Sequence, residues 1–188
     1  MAYATVADVK IYLRVTGAGD DVMLGDLLDR ATKAIDNYCR RVFVAVSASR
    51  YYTYDMVEGD TLWLDNELYS VSALLNGDAS ATPITSTHYW LLPRNDPPYF
   101  QIKLKSDTSW DFDTDGEVKI TGMWGYSLTP PADIEHACVR LAAYYYKQRD
   151  AQVFDVTAQP DQGQLIIPKG IPADVKQILD RYVRHVVA

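Results

Sequence analysis

The stretch from Gly122 to Asp150, GMWGYSLTPPADIEHACVRLAAYYYKQRD, constrains the chain most. Met123, Trp124 and Tyr126 suit a strand, with Gly122 and Gly125 as bends. Pro130 and Pro131 then set up a helix start, and Asp133 falls in its first turn, against the positive end of the dipole. Apolar residues recur at Ile134, Ala137, Cys138, Leu141, Ala142 and Tyr145, one face at a period near 3.6. Such a helix of roughly twenty residues spans about 30 Å. Any fold for this chain must give that helix a partner surface and must end a β region just before it.

Upstream, the pattern is helical first and β second. Thr5 is placed to cap a helix from about Val6 to Arg14, with Asp8 at the capping-box position and Val6, Val9, Tyr12 and Leu13 on one face. Gly17 and Gly19 break it. Asp20 is the expected cap of a second helix reaching about Arg41, with Leu24, Leu27, Leu28, Ala31, Ile35 and Tyr38 at helical spacing. A short loop between two such helices predicts a hairpin.

From Val42 to Tyr126 the period shortens to two. RVFVAVSASRYYTYDM, TLWLD, YSVSALLNGD, HYWLLP, FQIKLKS and EVKITGMWGYS predict five to seven short, mostly antiparallel strands. Asn76-Gly77-Asp78 marks a turn, and Pro97-Pro98 forces another. Ala151 to Gly170 reads as a polar linker or extended arm. A last helix starts at Pro172, with an apolar stripe of Val175, Ile178, Leu179, Tyr182, Val183 and Val186. That stripe must be buried, either on its own chain or on a neighbour.

The fold class expected is therefore α+β. A helical bundle of two N-terminal helices, one long helix and one C-terminal helix carries an inserted, mostly antiparallel β subdomain. The segments are 1–42 as the N-terminal hairpin, 43–126 as the β-rich insertion, 127–150 as the long helix completing the bundle, and 151–188 as arm and C-terminal helix.

Chemistry-bearing patterns are sparse. Asp111, Asp113 and Asp115, followed by Gly116, match the first half of a calcium loop, but Gly122 stands where the bidentate Glu belongs. A solvated turn before the next strand is the competing reading. His88, placed in a strand, and His136 and His185, on helix faces, lack ligand spacing. No nucleophile elbow, phosphate loop or dinucleotide fingerprint is present. Cys39 and Cys138 fall on apolar helix faces and are expected as buried free thiols. No cofactor and no enzyme activity are expected.

With 25 acidic and 18 basic residues the net charge is −7, a poor composition for gripping nucleic acid. No apolar run is long enough for a membrane span, and the start MAYATVADVK lacks signal-peptide character. Fourteen tyrosines point to interfaces that are apolar at one end and wet at the other. Tyr144, Tyr145 and Tyr146 must spread around the long helix, which predicts neighbours on more than one side.

The motifs TVADVKIYLRV, ATKAIDNYCRRVF, WLDNELYSVSALLNGD, LLPRNDPPYFQIKL and VKITGMWGYS, then PPADIEHACVRLAAYYYKQRDA, occur in that order. In this run the chain resembles the head–tail connector (adaptor) proteins of tailed bacteriophages and phage-like particles. PADVKQILDRYVR is similar to the terminal helix of longer members.

The resemblance implies a structural virion protein. It would form a ring of about twelve copies under the portal, extend the DNA channel without sequence-specific binding, and offer a docking surface to the next neck or tail protein. The location implied is the virion neck, with host cytoplasm during assembly and no membrane. By the same analogy Val175, Ile178, Leu179, Tyr182, Arg181 and Arg184 are candidates for portal contact, and Tyr144, Tyr146, Lys147 and Arg149 for subunit contact. The long helix and the β insertion would supply the two sides of that contact. A tail-completion or other neck protein is the nearest alternative. A calcium-dependent binding module or small hydrolase, built on the acidic loop, is the alternative from a different class.

Overall fold

The structure, a computed structural model, describes residues 2–113, 116–150, 157–159, 164–166 and 170–184. The chain divides into a helical unit, Met1–Arg40 with Pro130–Ala188, and a sheet unit, Arg41–Thr129.

In the helical unit, α1 spans Val6–Leu13 and begins with a complete capping box. The Thr5 side chain accepts from the Asp8 backbone N–H, and the Asp8 carboxylate accepts from the Thr5 N–H. Of the face predicted for α1, Val9 is fully buried, whereas Tyr12 lies outside the core. The second helix, α2 (Asp21–Cys39), starts after Asp20. Here the backbone alone caps: the Asp20 carbonyl accepts from Leu24 N at 2.9 Å, and no side-chain cap bond forms. The Asp20 carboxylate instead accepts from the Tyr146 hydroxyl at 2.8 Å.

The long helix, α3 (Ala132–Asp150), buries Ile134, Ala137, Cys138, Leu141 and Ala142 completely, as its period predicts. Val139 and Ala143 are buried too, so the covered face is wider than one stripe. The reason is that α1, α2 and the last helix, α4 (Ala173–Leu179), all pack on α3. Each fully buried Leu or Ile contributes roughly 1.5–3 kcal/mol relative to exposure.

Polar ties fix these packings. Tyr3 N–H donates to Thr32 Oγ1 at 3.2 Å, and the Tyr3 hydroxyl donates to Asp36. Thr32 Oγ1 lies 3.6 Å from the Cys138 thiol. Both cysteines are buried and in no disulfide, and burial pushes the Cys138 thiol pKa up.

The arm between α3 and α4 is not wholly irregular. Strands β7 (Thr157–Gln159) and β8 (Gln164–Ile166) pair antiparallel, with Ala158 opposite Leu165.

Among its described residues the sheet unit has six strands: β1 (Val46–Tyr52), β2 (Val57–Glu58), β3 (Thr61–Leu75), β4 (Tyr89–Leu92), β5 (Tyr99–Leu104) and β6 (Val118–Trp124). The order is β1-β6-β3-β5-β4, with β2 paired to β3, and every pairing is antiparallel. TLWLD and YSVSALL, expected as separate strands, form one 15-residue β3. Asp65-Asn66-Glu67, between the two expected strands, is accommodated within one. Asp65 accepts from Tyr52, Arg50 and Asn66, and Glu67 is buried against Arg41, 3.5 Å away. The pairing register shifts there, so the first half of β3 serves β5 and the second half serves β6.

The turn at Asn76 is a wide loop. Asn76 N–H returns to Thr82 O at 2.9 Å and Ile84 N–H to Leu74 O at 2.8 Å. Leu62, Leu68, Ile102, Leu104, Val118 and Ile120 lead the core, with Tyr52 stacked on Trp124 at 6.2 Å. At the base of the unit the entering and leaving chains are joined. Ala45 N–H donates to Ser127 O at 2.7 Å, Ser127 N–H to Phe43 O at 3.1 Å, and Tyr126 N–H to Val42 O at 2.9 Å. Among the described residues no helix is long and apolar enough to cross a membrane.

Candidate assembly surfaces

The C-terminal candidates divide by burial. Val175 and Leu179 are fully buried in the helical unit's own core, so these two positions of the stripe are covered within the chain. Ile178, Tyr182 and Arg184 are half-buried, and Arg181 is exposed. The helix is held at both ends. Asp174 pairs with Arg140 of α3, and the Tyr38 hydroxyl donates to Asp180. That bond raises the Tyr38 pKa to about 12. Cys39 Sγ lies 3.7 Å from Leu179 O, and Arg184 N–H donates to Cys39 O at 2.9 Å. The helix is shorter than its apolar stripe predicts: a 3-10 turn, Asp180–Tyr182, follows Leu179. Val186 and His185 lie outside the described residues.

On α3 the three consecutive tyrosines are all half-buried. Tyr146 reaches Asp20. Tyr145 lies under the Arg30 guanidinium, 4.6 Å from the ring centroid, and burial pushes its pKa up. Tyr144 lies 6.1 Å from Tyr145, ring centre to ring centre. Lys147 is exposed, and the side chain of Arg149 lies outside the described residues. Near the start of α3, Ile11 and Tyr12 of α1 face Glu135, His136 and Val139 across a groove of about 400 Å³. Ile11 is 76% exposed.

The acidic loop holds no cluster of three metal-ligating side chains among the described residues. Asp111 and Asp113 are exposed, and Asp115 lies outside the described residues. The loop is pinned through its backbone. Asp111 N–H donates to Asn76 Oδ1 at 3.0 Å and Asp113 N–H to Gly77 O at 3.2 Å. Phe112 packs edge-on to Tyr54. His88 ends a 3-10 turn, Ser86–His88, and is not in a strand. Its N–H closes the turn by donating to Thr85 O at 2.9 Å, and its Nδ1 lies 3.0 Å from Asp107 Oδ2.

One surface has no counterpart in the sequence reading. Beside β4 an open cleft of about 490 Å³ is lined by Tyr69, Tyr89, Trp90, Arg94, Tyr99 and Lys105, among others. Arg94 lies 5.1 Å and Lys105 5.7 Å from the Trp90 ring centre. The residues come from three strands and two loops, so no local spacing announces them. The nearest hint is a basic residue beside the turn that Pro97-Pro98 predicts.

A family model described as head completion protein matches residues 2–185. No curated protein matches the sequence. Among solved structures, a chain from the "neck of empty GTA particle computed with C6 symmetry" is 22% identical with a TM-score of 0.69. The match covers 99% of this chain and 92% of that chain. A chain from the "neck of native GTA particle computed with C12 symmetry" is 23% identical with a TM-score of 0.65, covering 97% and 90%. A third, from the "virion of native gene transfer agent (GTA) particle", is 23% identical with a TM-score of 0.66, covering 99% and 92%. At these identities the likeness is one of fold.

Proposed function

Because the chain belongs to the head completion protein family, we propose that it is a structural component of the neck of a phage-like particle. The carrying observation is that a family match over residues 2–185 coincides with a fold shared almost end to end with neck chains of such particles. In this reading the protein is a head–tail connector. About twelve copies form a ring under the portal, with the helical unit as a bundle, and the ring continues the DNA channel and presents a docking surface to the next neck or tail protein. A ring of identical chains uses heterologous contacts, in which one patch meets a different patch of the next copy. The −7 charge suits a channel wall that lets DNA pass without holding it.

Within this reading the portal contact draws on Ile178, Arg181, Tyr182 and Arg184, while Val175 and Leu179 hold the helix that displays them. Tyr144, Tyr146, Lys147 and Arg149 are the subunit-contact residues on α3. Lys147→Glu is expected to leave the protomer folded and to weaken ring formation. Unchanged assembly of that variant removes α3 from the subunit contact.

The role is tested by electron microscopy of the protein mixed with portal rings from its own particle. A new ring stacked on the portal's narrow end is the expected result. Absence of binding, with capture by a tail-side component instead, moves the protein to a tail-completion role.

A further inference from the structure

The cleft beside β4 is the most developed unassigned surface of the sheet unit. Its cations are Arg94 and Lys105, set around the face of Trp90, and among the described residues no carboxylate lines it. Asn95, at φ 84°, takes the left-handed backbone that asparagine tolerates, and so turns the chain just after Arg94. Lys105 is anchored by donating to the Thr87 carbonyl. Two cations flanking a half-buried indole, with tyrosine walls, favour a ligand that combines negative charge with modest bulk.

The same sheet unit carries the opposite charge elsewhere. The loop between β5 and β6 contains Asp107, Asp111, Asp113, Asp115 and Glu117, and no lysine or arginine from 106 to 118. Asp107 is engaged by His88, but Asp111, Asp113 and Glu117 are exposed. Asp113 and Glu117 border a depression shared with Tyr51 of β1. The strands β1 and β4 are the two ends of the sheet order. Cleft and loop are different patches of one chain, as a head-to-tail contact requires. Arg94 and Lys105 are opposite in sign to the exposed Asp111, Asp113 and Glu117, a charge complementarity that favours the acidic loop as the occupant.

We propose that the cleft around Trp90, Arg94 and Lys105 receives the acidic loop, Asp111 to Glu117, of a second copy of this chain. The contact rests on the ring reading above and names one of its interfaces, in addition to the α3 surface. It is electrostatic in register, so rising salt weakens it.

Two double variants test it: Arg94→Glu with Lys105→Glu, and Asp111→Lys with Asp113→Lys. Ring formation, alone and on portal rings, is followed by sedimentation and electron microscopy, with far-UV circular dichroism melts as the check on folding. Each variant alone brings like charges together. Its assembly is expected to move to at least about tenfold higher concentration. An equimolar mixture offers opposite charges at every junction of an alternating ring and is expected to regain wild-type assembly. The contact is refuted if either folded variant assembles like wild type while wild-type rings form, or if the mixture fails to recover. It is also refuted if the cleft variant assembles normally and loses only its retention of a duplex DNA. Failure of the wild-type chain to form any ring, with or without portal, instead overturns the ring reading itself.

Discussion

The helical unit draws its core from both ends of the chain, whereas the sheet unit draws its core from one unbroken stretch. Val9, Leu28, Ile35, Leu141 and Leu179 are buried in the first; Phe43, Leu62, Ile102 and Ile120 are buried in the second. The first cannot close until residues on both sides of the sheet unit are in place, so it bears the cost of closing a long loop. The second needs only its own neighbours in sequence. Two units of similar burial can therefore differ in how they form and fail. All four tryptophans, Trp63, Trp90, Trp110 and Trp124, lie in the sheet unit, while among the described residues the α-helices α1 to α4 lie in the other. Tryptophan emission and far-UV helical signal thus report the two units separately.

The largest effect is expected from Leu141→Ala, in the middle of α3. Removing a fully buried leucine costs about 3 kcal/mol. The helical signal should melt earlier, with the tryptophan midpoint lagging behind it. Coincident shifts of equal size would break the comparison, because they would mean one cooperative block. Gly122→Ala is the mirror experiment in the sheet unit. An added Cβ there would lie 2.1 Å from the Ser70 carbonyl oxygen of β3, and the strands must part to admit it. A loss of about 2 kcal/mol is expected, read first in tryptophan emission.

The smallest effect sharpens the picture within the sheet. Tyr52→Phe removes the hydroxyl that donates to Asp65 at 2.7 Å and should cost about 1 kcal/mol at neutral pH. Burial raises the Asp65 pKa, but hydrogen bonds from Tyr52 and Asn66 and the charge of Arg50 outweigh it and hold the carboxyl below its usual range. A lowered folded pKa means stability that is present above about pH 4 and lost as pH falls through the folded value. Tryptophan-detected melts should therefore show the gap between wild type and variant at pH 7 closing in more acidic buffer. A gap that persists unchanged would assign it to packing.

The sequence was legible where the signal is local. The capping box of Thr5 and Asp8, the buried period of α3 and the alternation of the strands all depend on residues within a turn or two. It was opaque where a distant residue decides. Asp65-Asn66-Glu67 parts two expected strands until Tyr52 is seen to donate to Asp65 and Arg41 to lie beside Glu67. Asp20 reads as a side-chain cap until Tyr146 claims its oxygen. Val139 and Ala143 count as outward positions unless three helices are known to surround α3. The arm's strands β7 and β8 pair over three residues each, too few for any period to register. The assembly surfaces are least legible, since Trp90, Arg94 and Lys105 meet only through the fold.

The stitching of Val42–Ala45 to Tyr126–Ser127 has a practical meaning. It brings the start and finish of the sheet unit within hydrogen-bonding reach of each other. A segment whose ends meet can be cut out of a gene and expressed alone, or exchanged for a short linker, without leaving a gap to span. The same property gives such a unit latitude to diverge: its outer strands can change in length and charge while the frame that carries it stays the same.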